Sequence, residues 1–138
     1  VTVATREVHV GQQLAPFVIE SVDPEPMKTM AAILQDPNPI HFDPASTQAL
    51  GMGDKTVNQG PTNVTWLTEF VQRFAGGPDR LVTIKIRFLG NVFSGDRFEC
   101  TGTVTAVHAE AGTAELEVGA TSDGRPALGG TAVIKIRD

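Results

Sequence analysis

A change of period in the middle of the chain limits its possible folds more than any other feature. Between Gly60 and Ala75 apolar residues recur at helical spacing, with Val64, Leu67, Phe70, Val71 and Phe74 on one stripe and Glu69 and Gln72 facing away. Gly76, Gly77 and Pro78 close that helix, and from Leu81 onward the pattern alternates at the period of a pleated strand. Four strands are expected, in LVTIKIRFLG (81–90), DRFECTGTVTAVH (96–108), TAELEVGATS (113–122) and GGTAVIKIRD (129–138). Turn signals at Ser94-Gly95-Asp96, Glu110-Ala111-Gly112 and Ser122-Asp123-Gly124-Arg125-Pro126 separate them. No linker, internal repeat or low-complexity tract interrupts the change. One long apolar helix beside an antiparallel meander predicts an α+β fold in which the sheet wraps the helix.

The first half is more broken. Residues 6–20 contain EVHV and PFVIE, divided by Gly11 and Pro16, which fits a leading edge strand or two. PEPMKTMAAILQ (24–35) predicts a helix capped by Asp23, because Pro24 and Pro26 suit a first turn and Met27, Met30, Ala31 and Leu34 share a face. Pro37, Pro39 and Pro44 then fall within the nine residues from Asp36 to Pro44, which forbids regular helix and predicts a stiff, turn-rich segment. PASTQALG (44–51) follows as a brief helix with Asp43 as cap and Gly51 at its end.

At 138 residues and 14.6 kDa the chain matches a single domain, 1–138, with enough length to bury a core. Apolar residues at 41% and charged ones at 20% belong to a soluble globular protein rather than a disordered one. A net charge of −5 disfavours a nucleic-acid partner, because such binding relies on Lys and Arg neutralising phosphates. The lone cysteine, Cys100, excludes an internal disulfide and any zinc site built from paired cysteines, which fits a reducing compartment. No apolar run reaches the roughly 18 residues that span a bilayer, and the start lacks the plan of a signal peptide, so a cytoplasmic protein without a membrane partner is expected. Tyrosine is absent, so the chemistry must come from histidines, carboxylates, hydroxyls and one thiol.

Among these groups, Asp36 and His41 stand out. A carboxylate and an imidazole five residues apart, in a segment stiffened by proline, have the preorganisation of a general acid/base pair. Turn chemistry alone also accounts for Asp and His in such a loop, with Asn38 and Pro39 shaping it. Further along, VNQGPTN (57–63) leads straight into the apolar helix. A helix start offers unpaired N–H groups and the positive end of a dipole, and Gly60 lets a carbonyl oxygen approach the backbone. That combination can serve as an oxyanion hole, although Pro61 at the first helical position is also simply a helix start. An acid/base pair with an oxyanion donor suggests addition or removal of water beside a carbonyl.

With these residues in place, the sequence resembles the MaoC-like, (R)-specific enoyl-CoA hydratases and related dehydratases, which have the hotdog fold. Their motif Asp-x-Asn-Pro-aliphatic-His, followed by a short helix with small residues, is present as DPNPIHFDPA (36–45). A Gln-Gly or His-Gly step opening the central helix is present as Gln59-Gly60, and the Arg-Phe then Gly-Asp pattern as Arg87-Phe88 and Gly95-Asp96. The chain departs from the family at Leu34-Gln35, where a small pair such as Ser-Gly is usual, and at GPTN in place of the commoner Gly-Met-Leu. The resemblance implies a long central helix wrapped by an antiparallel sheet, with an overhang segment carrying the hydratase motif. It implies that Asp36 and His41 hold a water between them for reversible syn addition to a trans-2-enoyl thioester, with Gly60 N–H holding the thioester oxygen. Asn38, Gln59 and Asn63 become candidate substrate-binding residues. The substrate would be an acyl-CoA or an acyl-carrier-protein thioester, with coenzyme A part of the substrate and no separate cofactor or metal. The family places its active sites between two such units, which implies a homodimer or a heteromer with a MaoC-like paralogue, including the kind acting on steroid side-chain thioesters. The intact Asp36 and His41 resemble an active subunit rather than one that completes a partner's site, and a hotdog thioesterase leaves the pair without a role.

The remaining candidates are weaker. Lys85, Arg87 and Arg97 form an expected local basic group, either a solvated face or a seat for coenzyme A phosphates. His9, on the expected edge strand, and His108, near a turn, have no carboxylate spaced in sequence to orient them. Cys100 alternates inward on its strand and reads as a small buried hydrophobe.

Overall fold

The computed structural model describes residues 7–137. Strand β1 (Phe17–Ile19) is followed by helices α1 (Glu25–Leu34) and α2 (Pro44–Ala49), with a 3₁₀ turn, Pro39–His41, between them. Helix α3 (Gly60–Ala75) leads through a second 3₁₀ turn into β2 (Leu81–Phe88), β3 (Phe98–His108), β4 (Thr113–Ser122) and β5 (Arg125–Lys135). The strands form one antiparallel sheet in the order β1-β3-β4-β5-β2, so β2 crosses over to pair with β5 and becomes an edge. The sheet wraps α3. Leu67, Phe70, Val71 and Ala75 of the helix bury against Phe98, Cys100, Val104, Leu116, Val118, Leu128 and Ile134 of the strands. No helix among the described residues is long and apolar enough to cross a membrane.

The expected helix stripe is displaced slightly. Asn63, Leu67, Phe70, Val71 and Ala75 take the buried side of α3, while Val64 and Phe74 flank it. Trp66 is half-buried and meets Phe98, ring centroids 5.1 Å apart. On α1 only Met27 and Ala31 are buried, and Leu34 is exposed. Asp23 does receive the Glu25 N–H at 2.9 Å, but Pro24 occupies the cap position itself. Asp43 caps α2 as expected, accepting from Ala45 N at 3.0 Å.

Several strand boundaries differ from the sequence reading: β2 ends at Phe88, β3 begins at Phe98 rather than Asp96, and β5 spans Arg125–Lys135 rather than 129–138. Asp123 and Gly124, at φ of 48° and 75°, complete the β4–β5 turn alone, so Arg125 and Pro126 begin β5 rather than ending a loop. This is a two-residue hairpin with left-handed central residues, the geometry that matches strand twist. Pro126 is accommodated beside a register shift next to Thr121, where the ladder is already interrupted. Among the described residues of the N-terminal part only 17–19 form a strand. EVHV (7–10) is not strand, and His9 is an exposed residue whose carbonyl accepts from Gln12 N in a turn.

Candidate functional site

Asp36 owes its position to the way α1 ends. Gln35 adopts the left-handed conformation at φ 51°, Gln35 N donates to Ala32 O, and Asp36 N donates to Ala31 O. These paired bonds close the helix in the manner usually built on glycine. The unusual Gln35 of the sequence thus sits where a residue without Cβ is favoured, an arrangement that costs about 1 kcal/mol. The chain leaves the helix abruptly and delivers Asp36 to the proline segment. Asp36 Oδ1 then accepts from Asn38 N at 3.0 Å, and Asn38 Oδ1 from Ile40 N at 3.2 Å. Asn38 is therefore an exposed loop-shaping residue.

The 3₁₀ turn presents His41, which is buried. Its Nδ1 lies 2.6 Å from Val57 O. A carbonyl can only accept, so Nδ1 carries the proton and Nε2 is left to face outward. Asp36 Oδ2 stands 3.2 Å from that Nε2. Two lone pairs in such contact need a proton between them, or a water that donates to both. The Asp36 side chain is 34% exposed, so water can reach it. The pair can therefore take a proton from water and return one to a nearby carbon.

Val57 is itself fixed, pairing with Phe93 and donating its N–H to Ile40 O at 2.9 Å. The same segment continues into α3. Gln59 is buried, and its Nε2 donates to Met27 O at 2.8 Å, tying the start of α3 to the helix that delivers Asp36. Among the described residues its Oε1 has no hydrogen-bond partner, nor has the Thr62 hydroxyl. Asn63 is buried and accepts from Asn58 Nδ2 at 2.7 Å, so it braces the first turn. Gly60 opens α3 with its N–H among the unpaired donors of a helix start. A Cβ on Gly60 would lie 3.1 Å from Phe88 Cε1, so the glycine is explained by the neighbouring ring rather than by φ.

The structure thus joins Asp36, Asn38 and His41 directly and ties Gln59, Gly60 and Asn63 to them through Met27 and Val57. The basic residues stand apart. Lys85 and Arg87 alternate with Ile84 and Ile86, which pack on the core, and so lie on the outer face of β2. There they border a cavity of about 480 Å³ with Glu117, Gly129 and Thr131. Arg97 does not group with them, because β4 and β5 lie between β3 and β2. It is engaged by Glu99 at 2.5 Å and Glu20 at 3.4 Å. His108 does have a carboxylate, Glu115 Oε2 at 2.7 Å, from the neighbouring strand, a contact that spacing along one chain segment does not reveal. Both groups are exposed. Cys100 is fully buried, and burial, followed by the charge of Glu99, pushes its thiol up to about 12. Among the described residues no three or more His, Cys, Asp or Glu side chains are grouped to hold a metal ion.

Sequence reasoning did not find Val57 O or Phe88 as parts of the site. A backbone oxygen leaves no mark in a sequence. Phe88 shares strand parity with Ile84 and Ile86, and that parity was the available signal for its facing α3.

One helix held in a wrapped antiparallel sheet is the arrangement of the hotdog fold, and here an Asp/His pair stands on the loop tied to the helix start. The MaoC-like domain model matches residues 4–124, and the chain belongs to the MaoC-like dehydratase family. No curated protein matches. Among solved structures, the (R)-hydratase from A. caviae involved in PHA biosynthesis is 24% identical, with 94% of this chain and 97% of that one covered and a TM-score of 0.80. The ChsH1-ChsH2 complex from Mycobacterium tuberculosis is similar at 21% identity, with 95% and 100% covered and a TM-score of 0.78. The HadBC (3R)-hydroxyacyl-ACP dehydratase complex from the same organism gives 17% identity, 94% and 99% coverage and a TM-score of 0.68.

Proposed function

We propose that the protein is a hydro-lyase that adds water reversibly to trans-2-enoyl thioesters, giving (3R)-hydroxyacyl products. The observation that carries this reading is the Asp36 Oδ2 to His41 Nε2 separation of 3.2 Å, with the imidazole tautomer set by Val57 O. A water seated beside the two and donating to both loses a proton to the pair as its oxygen bonds to Cβ. A proton returns to Cα on the same face. The N–H of Gly60 receives the thioester oxygen as negative charge develops there, an interaction that is stronger in the transition state than in the ground state. The acyl carrier is coenzyme A or an acyl-carrier protein, and no separate cofactor takes part. Lys85 and Arg87, exposed at the sheet edge, are the candidates for meeting carrier phosphates. The family's heteromeric complexes and the open edge of β2 support a homodimer or a pairing with a paralogue.

The test is hydration of crotonyl-CoA and bulkier enoyl-CoA esters, followed as loss of the conjugated enoyl absorbance. Release of free thiol without hydration favours thioesterase activity instead. An inactive pure chain rescued by a MaoC-like paralogue identifies a heteromer. Lack of hydration in every such combination overturns the reading.

A further inference from the structure

The Arg87-Phe88 step matches the family pattern but has no part in the acid/base chemistry, and the geometry of Phe88 assigns it one. Phe88 ends β2 on the side that faces α3, in parity with Ile84 and Ile86. Its ring packs against the bare Cα of Gly60, with Cε1, Cζ and Cδ1 at 3.1, 3.2 and 3.9 Å from the position a Cβ would take. Phe88 is nonetheless 60% exposed and does not belong to the core cluster. It is a wall with one face on the helix start and the other open.

We propose that Phe88 is a specificity-determining residue that keeps water away from the thioester carbonyl carbon, so that polarisation by Gly60 leads to hydration rather than hydrolysis. The inference rests on the hydratase reading of the site. Polarising a thioester carbonyl activates two electrophilic carbons. In hydration, water oxygen bonds to Cβ and a proton goes to Cα, with the carbon–sulfur bond intact. In hydrolysis, water oxygen bonds to the carbonyl carbon, that carbon's bond to sulfur breaks, and the departing thiolate takes a proton, leaving a carboxylic acid and a thiol. The N–H of Gly60 assists both. Asp36 and His41 hold a water for the first, so selectivity requires the carbonyl carbon to be dry. An aromatic ring beside Gly60 supplies an apolar barrier there.

The experiment compares the wild-type protein with Phe88→Leu and Phe88→Ala on crotonyl-CoA, reading enoyl absorbance for hydration and a thiol reagent for hydrolysis in the same sample. Thiol release relative to hydration should rise about tenfold in Phe88→Ala and about threefold in Phe88→Leu, the scale expected when part of an apolar wall is removed. Hydration should fall through KM more than through kcat, since the wall holds substrate and transition state alike. Butyryl-CoA, which can be hydrolysed but not hydrated, should show the same rise in thiol release. A role confined to folding lowers both reactions together, and an unmoved ratio overturns the proposal. Absence of hydration from the wild-type protein, alone and with a MaoC-like paralogue, overturns the hydratase reading as well, which separates that failure from a failure of Phe88 alone.

Discussion

Asp36 and Asp96 are both aspartates in motifs visible in the sequence, and the fold treats them in opposite ways. Asp96 is buried, with its side chain 3% exposed. Its Oδ2 accepts from Ser122 Oγ at 2.7 Å, Arg125 Nη2 at 2.6 Å and Phe93 N at 3.3 Å, and Lys55 Nζ stands 3.7 Å from Oδ1. It joins the turn before β3 to the β4–β5 hairpin. Asp36 has one backbone donor and one imidazole, and a third of its side chain is exposed. A carboxylate buried among three donors and a lysine is a structural fixture. One left with spare capacity beside a base and within reach of water can exchange a proton.

Substitution should separate the two roles. Asp36→Asn and His41→Ala are each expected to lower hydration by about 10²–10⁴-fold, the range for losing a positioned acid or base. Asp36→Asn should leave the thermal midpoint almost unchanged, because an amide oxygen can still accept from Asn38 N. Asp96→Asn should do the reverse, lowering stability by about 2–3 kcal/mol in denaturant titration through weakened charge-assisted bonds, with turnover per folded molecule retained. A large loss of stability at Asp36, or of turnover at Asp96, would break the contrast. Gly60→Ala brings the site and the packing into one measurement. A methyl 3.1 Å from Phe88 should cost about 1–2 kcal/mol of stability and reduce hydration, and Phe88→Leu should relieve part of the stability loss.

Cys100 extends the contrast between buried and accessible groups to the thiol. Its folded value near 12 against an ordinary 9.0 means that above pH 9 the unfolded chain loses a proton which the folded chain keeps. Stability therefore falls as pH rises from 9 towards 12, by about 1.4 kcal/mol at pH 10, and Cys100→Ala should remove that contribution to the slope between urea titrations at pH 8 and 10. The smallest effect is expected at the residue before Asp36. Gln35→Gly removes a left-handed non-glycine residue but loosens the unfolded chain, for a net gain of about 0.5 kcal/mol visible as a small rise in thermal midpoint.

What could be read from the sequence followed from how directly side-chain pattern reports backbone geometry. The alternation in residues 81–90 and 113–122 mirrors the pleat, so strands β2 to β4 and the central helix were legible. The start of β5 was not, because Arg125 and Pro126 look like turn residues until Asp123 and Gly124 are seen to complete the hairpin unaided. Asp36 and His41 could be picked out because proline stiffness joins near neighbours in the chain. Pairings across the fold, such as His108 with Glu115 or Phe88 with Gly60, depend on strand register and parity, which single-segment spacing does not supply. The supposed basic group failed for the same reason: Arg97 is close to Arg87 in sequence and on the far side of two strands in space.

The two edges of the sheet are unequal. β1 offers three residues, while β2 offers eight, with Val82 and Phe88 of the strand and the following Leu89 exposed. Growth of the sheet by strand addition is therefore favoured from one side only. A sheet with one long edge and one short one offers no repeating pair of edges on which copies could stack into an open-ended filament.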